Sequence, residues 1–228
     1  MCEGRLLNDS MKSQDPNQEH LQSIINLYTE GQLQQALSES NQMLERFPNS
    51  VILYNIAGAS NAALMQFDAA IESYKQALRI KPDYADAYYN MGVALNDKGD
   101  PEAAIESYKQ ALKIKPDYAD AYNNMGSALK DKGDLEEAID NYKQALRIKP
   151  DYAEGHSNLG AALQLLNQTE PALASYEKAI SLKKDLNTAI SGLGMALLKK
   201  GEHSEGLDKL RQGDGSILFN IKSGLSIK

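Results

Sequence analysis

A chain of 228 residues that is 42% hydrophobic and 24% charged, with no tryptophan, has the composition of a folded helical protein rather than a disordered one. Its formal charge of −7 offers no positive field to nucleic acid or an anionic membrane, which leaves a basic partner open. The lone cysteine, Cys2, excludes an internal disulfide and a multi-thiolate metal site, and no run of about 18 apolar residues is present to cross a bilayer.

The opening stretch MCEGRLLNDSMKSQDPNQEH carries no apolar signal segment, so a cytoplasmic address is expected. Residues 1–16 read as a flexible leader, with Met11 offering a second start. From there the chain repeats itself. IKPDYADAYYNMG at 80–92 returns as IKPDYADAYNNMG at 114–126 and, more loosely, as IKPDYAEGHSNLG at 148–160. Within one period the apolar residues fall at helical spacing in two blocks. Tyr88, Met91 and Leu95 form the first, and Ala104, Ile105, Tyr108, Ala111 and Leu112 the second, which predicts two helices per repeat.

The helix ends are also written. Asp83 after Pro82 is placed to cap a first helix, and Gly99-Asp100-Pro101 supplies a turn, an N-cap and a proline at the first helical position. Asp134 with Glu137 forms a capping pair in the following copy. Gly92, Gly126 and Gly160 lie inside predicted first helices, where each costs roughly 1 kcal/mol relative to alanine. Ala104, Ala138 and Ala172 follow them at a constant offset, so close backbone approach is the expected compensation, and Gly126→Leu should overpack it.

These residues resemble the tetratricopeptide repeat, a 34-residue helix-turn-helix pattern. The resemblance sets units at 51–84, 85–118, 119–152 and 153–186, with Pro82, Pro116 and Pro150 at the helix ends and Lys184 where a fourth proline is expected. Residues 17–50 read as a degraded first unit and 187–212 as a partial sixth, atypical in the way terminal caps are. The implied fold is an all-α, right-handed superhelical solenoid over 17–212, in which stacked antiparallel helix pairs bury one another's apolar stripes. Residues 213–228 form an apolar tail, GDGSILFNIKSGLSIK, whose short alternation suits either a hairpin or a segment packed on the last helix.

No phosphate loop, nucleophile elbow or metal-ligand cluster is present, and His20, His156 and His203 are far apart, so no catalytic residue, cofactor or metal is assigned. Lys75, Arg79, Lys109, Lys113, Lys143 and Arg147 recur behind Glu72, Glu106 and Asp140, which reads as a self-paired solvated face rather than a nucleic-acid surface. The resemblance implies instead a concave groove that binds protein segments. Its lining positions here are Asp86, Tyr89, Asn90 and Asp97; then Asp120, Asn123, Asn124, Ser127, Lys130 and Asp131; then Glu154, Ser157 and Asn158. The preceding unit offers an apolar stretch around Ile52 and Ile56.

Asn90, Asn124 and Asn158 recur at one position, and the row resembles the asparagine ladder of O-GlcNAc transferase repeat arms. Such amides suit the backbone of an extended peptide. The lysines of a carboxylate clamp are missing, since Tyr89, Asn123 and Ser157 stand in their place. The expected ligand is therefore a neutral or basic protein segment, with no nucleic acid and no membrane. Two other roles follow from the same residues: a substrate-recruiting or oligomerising arm of a glycosyltransferase, sulfotransferase or oxygenase, and self-association through Ile52 and Ile56 or residues 213–228.

Overall fold

The computed structural model describes residues 15–214, 217–220 and 224–227, and the chain divides into two compact units, 1–115 and 116–228. The first contains α1 (Gln18–Thr29), α2 (Leu33–Arg46), α3 (Val51–Ala63), α4 (Phe67–Ile80), α5 (Ala85–Lys98) and α6 (Pro101–Ile114). The second contains α7 (Ala119–Lys132), α8 (Leu135–Ile148), α9 (Ala153–Leu165), α10 (Thr169–Leu182), α11 (Asn187–Lys200) and α12 (His203–Asp214). It ends in a hairpin of β1 (Ile217–Asn220) and β2 (Gly224–Ile227), antiparallel with Ile217 opposite Ile227. The expected leader falls almost wholly outside the described residues. Asp15 accepts a hydrogen bond from the Ser50 hydroxyl, and Pro16 is buried.

Within each unit every helix packs on its predecessor. The first helices also pack on one another: α1 on α3, α3 on α5, α7 on α9 and α9 on α11. Among the described residues, successive second helices make no packing of that extent. The first helices therefore share one continuous layer in each unit, and any face common to several repeats belongs to them.

The nearest neighbour of each helical glycine is a residue that the sequence expectation did not name. A Cβ built on Gly92, Gly126 or Gly160 would first meet a tyrosine. It would lie 2.6–2.8 Å from the ring of Tyr108, Tyr142 or Tyr176 on the second helix. Gly58 stands in the same relation to Tyr74. These rings are at most 3% exposed. Burying an aromatic of that size stabilises by roughly 1.5–3 kcal/mol, more than the roughly 1 kcal/mol that a helical glycine costs. The glycine is the seat and the tyrosine fills it. Ala104, Ala138 and Ala172 are fully buried as well, on the same second helices.

The two ends of the pattern change the solution. Ile24 and Ser40, one period before Gly58 and Tyr74, are both buried, so the large side chain moves to the first helix and the small one to the second. At the other end Leu210 takes the tyrosine position. A Cβ on Gly194 would come within 2.9 Å of the Gly206 carbonyl oxygen, and there the expected close backbone approach is found.

Buried phenols need partners and lose their usual acidity. Tyr142 Oη and Ser127 Oγ are 3.1 Å apart, and Tyr176 donates to Gln164 Oε1 at 3.0 Å. Burial pushes both phenols up to about 12, partly opposed at Tyr142 by the Ser127 contact, and raises Tyr74 as well.

The caps are partly as expected. Gly99 ends α5 in the left-handed conformation (φ 91°), and Asp100 Oδ1 accepts from the Ala103 amide at 3.1 Å ahead of Pro101. Asp83 caps nothing, because Tyr84 occupies the N-cap of α5 with extended backbone and no side-chain bond. Asp134 makes no cap bond either; Lys132, 2.8 Å away, takes its carboxylate. The exposed carboxylates of α4 and α6 find partners on their own helices, though glutamines do most of it. Glu72 and Glu106 accept from Gln76 and Gln110 at 2.7 and 2.8 Å, and Arg79 reaches Glu72 only at 4.0 Å.

Ser60 is fully buried on α3, and its hydroxyl has no hydrogen-bond partner among the described residues. The same position in later repeats holds Ala94, Ala128, Ala162 and Ala196, each fully buried. Ser60→Ala should therefore raise unfolding stability by about 1 kcal/mol, the cost of an unpaired buried hydroxyl, as read from urea titration of the whole chain.

Candidate functional site

Packing leaves one stripe of each first helix uncovered, spaced i, i+4, i+7, i+11, which is one face of an α-helix. On α5 it is Asp86, Asn90, Val93 and Asp97; on α7, Asp120, Asn124, Ser127 and Asp131; on α9, Glu154, Asn158, Ala161 and Leu165. The aspartates at the ends of α5 are exposed and the residues between them half-buried. Asp131, Glu154 and Leu165 are exposed, the last at 59%. On α3 the stripe is Ile52, Ile56, Ala59 and Ala63, but Ile56 is 8% exposed and belongs to a core with Ile24, Ala36 and Leu53. Ile52 is thus the member of that pair a partner can reach.

The asparagines do two jobs. Asn90 Nδ2 donates to Asn55 Oδ1 at 3.1 Å, tying α5 to α3, and Asn158 Nδ2 donates to Asn123 Oδ1 at 3.0 Å, tying α9 to α7. Each tie joins the fifth position of one repeat to the sixth of the next. Asn123 also donates to Asn124 Oδ1 at 3.2 Å. Beyond its tie, each half-buried Asn90 and Asn158 amide keeps a second N–H and an acceptor oxygen.

The sequence-derived residues separate accordingly. Asp86, Tyr89, Asn90 and Asp97 lie together on α5, where the Tyr89 ring stands 6.1 Å from that of Tyr108. Asn123 and Ser157 are 5% exposed and turned to neighbouring helices; Ser157 Oγ lies 3.4 Å from Thr188 Oγ1. Lys130 is half-buried with its ammonium 3.5 Å from Asp131. Glu154 accepts from Lys183 at 3.0 Å, and that bond holds its carboxyl below the usual range. His156 puts Nε2 3.0 Å from the Pro150 carbonyl oxygen.

Sequence reasoning did not find the Asn55–Asn90 and Asn123–Asn158 ties. A signal was present, since both asparagine pairs have the same separation, one residue more than the repeat. Among the described residues, no group of three or more His, Cys, Asp or Glu could hold a metal ion, and no helix is long and apolar enough to cross a membrane.

Comparison with known proteins supports the repeat family and the fold. A family profile described as TPR repeat matches residues 63–99, 94–133 and 126–167, and one described as tetratricopeptide repeat matches 153–186. A probable UDP-N-acetylglucosamine–peptide N-acetylglucosaminyltransferase SEC from Arabidopsis thaliana is 37% identical over 76 residues, which are 33% of this chain but 8% of that protein. The crystal structure of MamA superposes with a TM-score of 0.63 at 29% identity, covering 68% of this chain and 91% of that one. That of PilW, a type IV pilus biogenesis factor, gives 0.79 at 22% identity, covering 88% and 94%.

If the asparagine ties carry energy between repeats, Asn123→Ala and Asn158→Ala should each cost about 1 kcal/mol, and the double variant little more than either alone. Urea titration of the four chains in this cycle gives the coupling. Additive costs would show that the tie contributes nothing as a pair.

Proposed function

The chain belongs to the tetratricopeptide repeat family, and from that premise we propose that it is a non-catalytic interaction scaffold whose first-helix faces bind a neutral or basic protein segment. The observation that carries this reading is the uncovered stripe itself. It sets the half-buried Asn90 amide, with hydrogen-bonding capacity to spare, between exposed Asp86 and Asp97, and the half-buried Asn158 amide one turn from exposed Glu154. The amides are suited to peptide backbone, and the carboxylates disfavour an acidic ligand. Carboxylates in the first turns, Asp86, Asp120 and Glu154, also complement the helix dipole, so they alone would argue little. Asp97 and Asp131 sit in last turns, where the dipole disfavours them, so helix stability does not account for them.

A second reading, favoured by the match to the plant transferase, is that these repeats serve as the substrate-recruiting arm of a larger glycosyltransferase. The chain spans 8% of that protein's length, so the transferase activity itself belongs to the proposal. The genomic sequence beyond codon 228 separates the readings: an open frame continuing into a catalytic domain supports the arm, and a stop codon the free-standing scaffold.

Calorimetric titration against neutral, basic and acidic peptides is expected to give binding with the first two and little with the third. Asn124→Ala should weaken that binding about 3- to 10-fold, one hydrogen bond's worth. No heat with any neutral or basic peptide would contradict the reading.

A further inference from the structure

The face of the first unit is two-sided. Every residue of α3 is uncharged, and its uncovered stripe runs from Ile52, 38% exposed, through half-buried Ala59 to exposed Ala63. Two residues on, Met65 is 69% exposed and held at φ 59°, a conformation that a methionine side chain disfavours. It lines a shallow depression of about 420 Å³ with Gln66, Phe67, Ala69 and the Lys98–Asp68 ion pair, 2.6 Å long. The neighbouring helix is of the opposite character. Asp86 and Asp97 are exposed at the two ends of the α5 stripe, with half-buried Asn90 and Val93 between them. Neither aspartate makes an ion pair among the described residues, whereas Glu154 has Lys183 and Asp131 has Lys130. The Asn90–Asn55 hydrogen bond fixes the two stripes side by side.

Resting on the scaffold reading above, we propose that this face takes an amphipathic basic helix from a partner protein. One flank of that helix is aliphatic and lies on α3; the next carries two Lys or Arg residues that answer Asp86 and Asp97. The spacing sets the requirement. Eleven residues of helix separate the aspartates, roughly 16 Å at 1.5 Å per residue, so the partner's cations stand three turns apart on its own helix. Charge complementarity selects a cationic partner, and the uncharged small-residue strip beside it admits a bulky aliphatic flank.

The test is fluorescence anisotropy of a labelled peptide of about 18 residues, with two lysines three turns apart on one flank and leucines along the adjacent flank, titrated with the whole chain. The expected result is saturable binding that weakens as salt rises. Affinity should fall at least about tenfold in Asp86→Asn/Asp97→Asn and in Ala63→Glu, with the salt dependence flattened in the first, while Glu106→Gln on α6 leaves it unchanged. Both groove variants change exposed positions, and circular dichroism melts verify that they fold. A peptide of the same composition broken by a central proline should bind weakly. Equal binding of the broken peptide, affinity indifferent to Ala63→Glu and Asp97→Asn, or a dimer by light scattering that Ala63→Glu dissociates would overturn the proposal, the last assigning the face to a second copy. If the helical peptide fails but extended neutral peptides bind, the scaffold reading survives without it. If no peptide of either kind binds, both fall.

Discussion

A tyrosine ring seated where a glycine leaves no side chain is the contact on which each inner helix pair depends. Gly58 with Tyr74, Gly92 with Tyr108, Gly126 with Tyr142 and Gly160 with Tyr176 repeat it at constant spacing. Helices of 13 or 14 residues are marginal alone in water, so their order comes from what they bury. A ring that plugs its own pair's seat also fixes the distance and rotation at which the two helices meet. The layer of first helices follows from that registration, and so does the stripe each one leaves uncovered.

The same constraint explains the two ends. The first pair reverses the sizes, Ile24 for glycine and Ser40 for tyrosine, and keeps both buried. The last pair uses Leu210 and a second glycine, so the helices touch backbone to backbone at Gly194 and Gly206. Three packings satisfy one requirement, that the space between first and second helix be filled without a void or an overlap.

Much of this was legible in the residues. The repeat period, two helices per repeat and the Gly99-Asp100-Pro101 turn follow from local chemistry and helical spacing, which act within a few residues, whereas the groove positions came from the family resemblance. The ring nearest each glycine did not follow, because Ala104 and Tyr108 lie one turn apart on the same helix and both are buried. Only the rotation of one helix against the other decides between them, and that is a tertiary quantity. Asp134 failed as a cap for a similar reason: Lys132 competes for its carboxylate across the turn. Among the residues picked for the groove, Asn123 and Ser157 turned out to face neighbouring helices, since a repeat position says which helix a residue occupies but not which atoms the next repeat brings to it. Ile56 went to the core by the same route. Self-association through residues 213–228 concerns side chains outside the described residues, while residues 217–220 and 224–227 pair antiparallel as the alternation allowed.

Function enters where packing stops. The uncovered stripe is uncharged on α3 and carries acidic and amide side chains on α5 and, in the second unit, on α7, while the packing beneath stays constant. The claim beneath all of this is the seated ring, and a stability cycle of Gly126→Ala and Tyr142→Ala, followed by urea unfolding of the whole chain, tests it most directly. With the ring in place, Gly126→Ala should destabilise by about 1 kcal/mol or more, despite the helix propensity that alanine gains. With the ring removed, the same change should become neutral or stabilising. An equal effect of Gly126→Ala in both backgrounds would contradict the account.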